Sequence, residues 1–197
     1  MTRIAALIMA AGASTRFDGC KLLADIGGSC LLQQRIDLAA ELFPEDVYVV
    51  TGAWHRELVT AKAEKKLTGA SFIFADSWGE GLAASLVAGV KHLEREYDAI
   101  LVLLADQVAL ARTDLQQLLA AFDGNNIACA VYHGKRGVPA IFGNNSFARL
   151  KQLKGDQGAK AVLYESDMTV SECPMPNARW DIDSREQLAA WSGRQMP

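Results

Sequence analysis

Residues 9–23 read MAAGASTRFDGCKLL, a run of small residues followed by an arginine and a lysine. Side chains as short as those of Ala10, Ala11 and Gly12 leave the backbone open, so a flat or anionic ligand can reach its N–H groups. Arg16 and Lys21 then suit phosphate oxygens, the arginine as a fork and the lysine as a point charge. The plainer alternative is a glycine-containing turn with two solvated cations. Known phosphate fingerprints do not decide between them. Walker A requires GxxxxGK[ST], whereas here Gly12 is followed by Gly19, Cys20 and Lys21 with the wrong spacing and no hydroxyl after the lysine, and GxGxxG is absent.

Three further clusters carry chemical side chains. In ILVLLADQV (100–108) an apolar run ends on Asp106. A buried carboxylate without a partner is costly, so Asp106 calls for a cation, a metal or backbone donors. Beside a phosphate loop it is a natural Mg²⁺ ligand, because Mg²⁺ takes one or two carboxylates and completes its octahedron with water and phosphate oxygens; a cap on the following segment is the alternative. In WGEGLAASL (78–86), Gly79 and Gly81 admit unusual backbone angles and open a helix whose free N–H groups suit a ribose, a base edge or a phosphate, with Ser85 in its first turn. An ordinary glycine-rich helix entry uses the same residues. In WDIDSREQL, Asp181 and Asp183 stand two apart, which puts both carboxylates on one face of an extended segment, unless they join Ser184 in capping the last helix.

The elements that must hold these clusters follow from the apolar pattern. Residues 4–9, 47–51, 72–75, 100–104 and 128–132 are continuous apolar runs of strand length, as expected for strands covered on both faces. Helix-like segments lie between them, at 31–42, 56–66, 82–96 and 114–122. This order predicts an α/β fold, a single doubly wound, mostly parallel sheet with helices on both faces. Ligands of such sheets bind outside the carboxyl ends of the strands, where the opening loop and Asp106 both fall. Thr113 with Gln116 and Ser184 with Gln187 read as capping boxes at two helix starts. In the second half, GKRGVPAIF (134–142) reads as a polar turn feeding a short strand. GDQGAKAVL (155–163) reads as a turn opening a helix, with Asp156 and Lys160 near its start.

At 197 residues, half of them hydrophobic, the chain suits one substantial core, and one domain over 1–197 is expected. A net charge of −3 and the lack of a basic stripe argue against a nucleic-acid surface. The apolar start, IAALIMAA, is too short to span a bilayer and reads as a strand, so no membrane partner is expected. Cys20, Cys30, Cys129 and Cys173 lack CxxC spacing and read as reduced, mostly buried thiols of a cytoplasmic chain. His55, His92 and His133 have no obvious partners in sequence and read as surface or loop residues.

Taken in order, MAAGASTRFDGCKLL, GLAASL, LADQ, GDQGAK and DIDSREQL resemble the motifs of the small nucleotidyltransferases that mature the molybdenum cofactor, and within them most nearly the molybdenum cofactor cytidylyltransferases. The resemblance runs the length of the chain and implies a Rossmann-like fold. It also implies a nucleotide lying along Ala10, Ala11, Gly12 and Ser14, with Arg16 and Lys21 on the phosphates and Gly81 and Ser85 near the base or ribose. Arg16, Lys21 and Asp106 become the catalytic set, and Asp106 a Mg²⁺ ligand, joined by Asp181 in preference to Asp183. The implied reaction moves CMP from CTP to the terminal phosphate of molybdopterin and releases pyrophosphate, with a molybdoenzyme as a possible recipient of the product. Guanylyl members carry two glycines in the opening loop (LAGG). Ala10, Ala11 and the single Gly12 match the cytidylyl pattern and favour CTP. The chain differs from the usual motifs at Asp18, Val108 and Val138. A guanylyltransferase, a relative with another acceptor and a non-catalytic delivery module for the cofactor are the alternatives.

Overall fold

The computed structural model describes residues 2–165 and 167–192. The 1–197 span expected for one domain therefore includes residues 1, 166 and 193–197, which lie outside the described residues. The elements run β1 (Ile4–Ala10), α1 (Leu31–Ala40), β2 (Val47–Thr51), α2 (His55–Ala63), β3 (Ser71–Phe74), α3 (Leu82–Leu93), β4 (Ala99–Leu104), α4 (Arg112–Ala121), β5 (Ile127–Tyr132), β6 (Lys135–Gly143), α5 (Phe147–Leu150), β7 (Val170–Pro174) and α6 (Arg185–Ser192). The seven strands form one sheet in the order β3-β2-β1-β4-β6-β5-β7, parallel except that β6 runs antiparallel to both its neighbours.

The central strands are apolar at every position because each face has its own cover. Along β1, Ala6, Ile8 and Ala10 enter one core with Leu32 and Ile36 of α1, Leu58 of α2 and Leu115 of α4. Ala5, Leu7 and Met9 enter the other with Leu86 and Val90 of α3 and Phe147 of α5. Period-two alternation thus feeds two cores, and each fully buried Leu or Ile contributes about 1.5–3 kcal/mol relative to exposure. β1 leads outward through β2 to β3, and the chain then returns to lay β4 on the other side of β1. The order reverses between β1 and β4, so the carboxyl ends of these two strands frame the crevice in which ligands of open α/β sheets bind.

Several local expectations need correction. β6 is nine residues long and antiparallel, longer than the short strand expected, and β7 was not legible as a strand at all. The 155–158 turn opens a 3-10 segment, Ala159–Tyr164, instead of an α-helix. α4 starts at Arg112, and the reciprocal cap is made by Asp114, whose carboxylate accepts the Ala111 N–H at 2.8 Å, so Thr113 and Gln116 form no capping box. Ser184 and Gln187 do form theirs: Gln187 Oε1 accepts from the Ser184 N–H, and Ser184 Oγ accepts from the Gln187 N–H. His55 heads α2, bonds Thr51 Oγ1 through Nδ1 at 2.7 Å and stacks on Phe74, so it is partnered. His133 sits in the two-residue turn between β5 and β6, where it and Gly134 both have positive φ, the requirement of the hairpin turn that matches strand twist. All four cysteines are free thiols; Cys129 and Cys173 are buried, Cys20 and Cys30 only partly. Among the described residues no helix is long and apolar enough to cross a membrane.

Candidate active site

A cleft of about 480 Å³ opens at the carboxyl edge, within the usual range for small-molecule sites. One wall is the opening loop from Ala10 to Arg16, with Lys21. The second is the α3 entry with Trp78, Gly79, Gly81, Leu82 and Ser85. Leu104, Ala105 and Asp106 form the floor, and Asp183 closes one end. The structure therefore brings together Ala10, Ala11, Gly12, Ser14, Arg16, Lys21, Gly81, Ser85 and Asp106, drawn from three segments remote in sequence.

The opening loop is bare where it faces the cleft. A Cβ added at Gly12 would meet nothing within 4 Å, so this stretch of backbone is open to a ligand. The loop is braced from behind: the Ala53 N–H donates to the Ala11 carbonyl at 3.0 Å, and the Trp54 indole donates to that of Ala13 at 3.0 Å. Ser14 and Asp18 both adopt positive φ, a strain that Asp tolerates better than most residues. Asp18 is exposed and does not line the cleft, so the charge that departs from the usual motif lies outside the cleft wall. Its carbonyl accepts a bond from Arg185 of α6.

The α3 entry needs glycine at position 81. Gly81 has φ +117°, and a Cβ there would stand 2.3 Å from the Gly155 carbonyl oxygen. That carbonyl in turn accepts the Ala83 N–H at 3.0 Å. The GDQGAK turn thus buttresses the helix entry from outside, and Asp156 and Lys160 do not line the cleft. Ser85 is 2% exposed, and its residual surface belongs to the cleft.

The charged centre is built around Lys21. Its ammonium donates to Asp106 Oδ2 at 2.8 Å, to the Ile182 carbonyl at 3.0 Å and to Asp183 Oδ1 at 3.1 Å. Burial works against this charge, but Asp106 and Asp183 outweigh it and raise the Lys21 pKa. Arg16 donates to Asp183 Oδ2 at 2.7 Å. Burial raises the Asp183 pKa, yet the bonds and charges of Lys21 and Arg16 overcome it and hold the carboxyl below its ordinary value. Asp181 behaves differently: burial, then the Asp106 and Asp183 charges, push its pKa up. Asp181 lies near enough to Asp106 for their charges to interact, although it does not line the cleft. Both aspartates flank the buried Ile182, but Asp183 reaches Lys21 and the cleft, and Asp181 pairs its backbone with Gln107 in an isolated bridge.

Asp106 Oδ1 is buried and has no hydrogen-bond partner, while Oδ2 holds Lys21. An orphaned carboxylate oxygen beside an open phosphate-type loop fits a hard divalent cation, which would supply the missing contact. Among the described residues no group of three or more His, Cys, Asp or Glu side chains gathers as an all-protein cage. Mg²⁺ needs none, since substrate phosphates and water complete its shell. Two contributors escaped the sequence reading. Trp78 packs into the cleft wall, and Arg35, a cation on the apolar stripe of α1 at 6% exposure, lies behind the floor. The stripe of Leu31, Leu32, Ile36 and Ala39 was the available signal for Arg35.

This sheet order, with an anion-ready loop facing a strand-end carboxylate, defines a nucleotidyltransferase of the nucleotide-diphospho-sugar transferase fold. Residues 6–170 match the model of the MobA-like NTP transferase domain, and the chain belongs to that family. The purine catabolism protein PucB of Bacillus subtilis (strain 168) is 31% identical over 112 residues, 55% of this chain and 54% of PucB, so the match spans about half the length of that curated relative. The crystal structure of Rv0371c from Mycobacterium tuberculosis H37Rv aligns with TM-score 0.84 over 98% of both chains at 22% identity, and its manganese complex aligns at 0.81. A CMP:2-keto-3-deoxy-manno-octonic acid synthetase complexed with CTP aligns at 0.73 over 98% of both chains at 15% identity.

Proposed function

We propose that this chain, as one nucleotidyltransferase domain in the cytoplasm, transfers CMP from CTP to the terminal phosphate of molybdopterin with Mg²⁺ and releases pyrophosphate. The observation that carries the reading is that Asp106, with one carboxylate oxygen unpartnered, lines the same nucleotide-sized cleft as the bare Ala10–Ala11–Gly12 loop. Manganese in the Mycobacterium tuberculosis relative supports a divalent cation, and CTP in the synthetase complex supports a cytidine nucleotide. The acceptor rests on the five motifs that resemble the molybdenum cofactor enzymes.

In this reading the backbone of Ala10, Ala11, Gly12 and Ser14 cradles the nucleotide, and Ser85 and the Gly81 backbone meet its base or ribose. Arg16 leaves Asp183 for the phosphates, where its fork matches their oxygens. Lys21 keeps a charge beside the α-phosphate in ground and transition states alike. Asp106, with Asp181 near enough to feel its charge, would hold Mg²⁺, which when bound neutralises charge on the transferring group and orients it. An acceptor phosphate oxygen forms the new bond to the α-phosphorus, the α–β anhydride bond breaks, and the electron pair leaves on pyrophosphate. A phosphate monoester is already largely ionised at neutral pH, so alignment and charge stabilisation suffice and no general base is required.

The test is transfer of label from α-labelled CTP, GTP, ATP and UTP to purified molybdenum cofactor, with pyrophosphate measured in parallel. Label should move from CTP in preference to GTP, in step with pyrophosphate. GTP preference would make the protein a guanylyltransferase. Tight cofactor binding without transfer from any nucleotide would favour a delivery module.

A further inference from the structure

We propose that Gln107 is a positioning residue, which fixes where Asp106 stands in the cleft by pinning the strand end that carries it to three neighbouring elements. The proposal rests on the metal role of Asp106 given above. Gln107 is 1% exposed and follows Asp106 directly. Its amide nitrogen donates to the Val138 carbonyl at 2.9 Å and to the Ala178 carbonyl at 2.7 Å. Both of its N–H donors are used, while its Oε1 is buried with no partner. A hydrophobic side chain of this size would avoid that unpaired oxygen, so the two donated bonds are what the position requires.

The partners explain why. The β5–β6 register steps from Cys129 opposite Ala140 to Ala130 opposite Gly137, so Val138 and Pro139 bulge out of the ladder. A bulge leaves backbone groups unpaired and re-aims the strand, and here Gln107 takes the Val138 carbonyl. Ala178 belongs to the segment that leads to Asp181 and Asp183. That segment also lies against the 106–108 backbone: the Val108 N–H donates to the Trp180 carbonyl at 2.9 Å, and the Ile182 N–H to that of Asp106 at 3.1 Å. A proline at position 108 would lack the first of these bonds. From behind, Arg35 of α1 donates to the Gln107 carbonyl at 2.8 Å and to that of Leu110 at 3.3 Å. Among the described residues no carboxylate pairs with this guanidinium, and burial pushes its pKa down to about 10. A buried cation spent on two main-chain carbonyls is a costly device unless the placement of that turn matters. Gln107 thereby ties β4, the β6 bulge and the 176–183 segment into one unit. The spacing of Asp106 and Asp183 across Lys21 depends on it.

The experiment measures Mn²⁺ binding by electron paramagnetic resonance, with CTP present, together with melting temperature, for wild type and for Gln107→Leu, Arg35→Met and Asp106→Ala. Gln107→Leu should weaken Mn²⁺ binding about tenfold or more, the effect usual for groups that support a metal ligand. CTP affinity without metal should stay near wild type. A purely structural role would lower the melting temperature and leave Mn²⁺ affinity unchanged, which would overturn the proposal. If Gln107→Leu does not fold, Arg35→Met carries the same test: a smaller weakening in the same direction supports the proposal, and wild-type Mn²⁺ affinity overturns it. Asp106→Ala separates the two claims. If it binds Mn²⁺ as wild type does, the metal role of Asp106 itself fails; if it alone loses Mn²⁺, only the role of Gln107 fails.

Discussion

The two edges of the sheet use the same residue types to opposite ends. At the amino edge, Arg3, Asp46, Tyr48, Tyr97 and Asp98 satisfy one another. Tyr97 donates to Asp46, Tyr48 and Tyr97 share a hydroxyl bond of 2.8 Å, Arg3 lies over the Tyr97 ring, and the Arg3 N–H donates to Asp98. Burial, with the bonds to Asp46 and Tyr48, drives the Tyr97 pKa far up, and the phenol stays neutral. At the carboxyl edge, Arg16, Lys21, Asp106 and Asp183 also pair, yet Asp106 keeps an orphaned oxygen and the Gly12 backbone stands open. A latch closes on itself; a site stays incomplete without its ligand.

Mutations should therefore separate stability from turnover between the edges. The largest effect is expected at Asp106. In the proposed mechanism Asp106→Ala removes the carboxylate that would hold Mg²⁺ at the transferring group, which should cost roughly 3 kcal/mol or more of transition-state stabilisation, about a hundredfold or greater in single-turnover rate. Circular dichroism should show a retained fold, since Asp106 belongs to neither apolar core. Tyr97→Phe is the converse. It deletes two hydrogen bonds at the amino edge and should lower stability in urea titrations by about 1–3 kcal/mol, with kcat unaltered. An active-site effect from Tyr97→Phe would erase the contrast.

The smallest effect carries a sign. An acid whose folded-state pKa is raised binds more protons folded than unfolded, so it costs stability as pH rises through its unfolded value, about 3.9 for aspartate. Asp181 is such a group. Asp181→Asn should therefore raise the melting temperature slightly at neutral pH, and the gain should vanish on acidification below that value. Asp183 is shifted the other way, so the stability it supplies is lost only as pH falls through its lowered pKa. Equal responses of Asp181→Asn and Asp183→Asn across pH 3–7 would contradict the different environments assigned to the two aspartates.

Much of this contrast was legible in sequence and some was not, for physical reasons. The central strands announce themselves because two covered faces demand an unbroken apolar run, as in IAALIMA of β1. β7, VSECP, hides because an edge strand is half exposed and mixes polar residues and a proline. The bare loop and Asp106 could be paired from the edge rule alone, since both follow parallel strands. The different surroundings of Asp181 and Asp183 could not be read, because alternation puts them on one face and only the three-dimensional reach of Lys21 separates them. Gln107 was silent for a related reason. Its carbonyl partners lie 31 and 71 residues along the chain, and no local pattern encodes a bulge that distant.

The most direct test of the central claim is a crystal structure of the protein grown with CTP and Mn²⁺, with anomalous data collected at the manganese edge. A manganese peak is expected within coordination distance of Asp106 Oδ1, with the triphosphate along Ala10–Gly12 and Arg16 turned from Asp183 onto phosphate. A manganese peak away from Asp106, or a nucleotide bound outside this cleft, would contradict that claim.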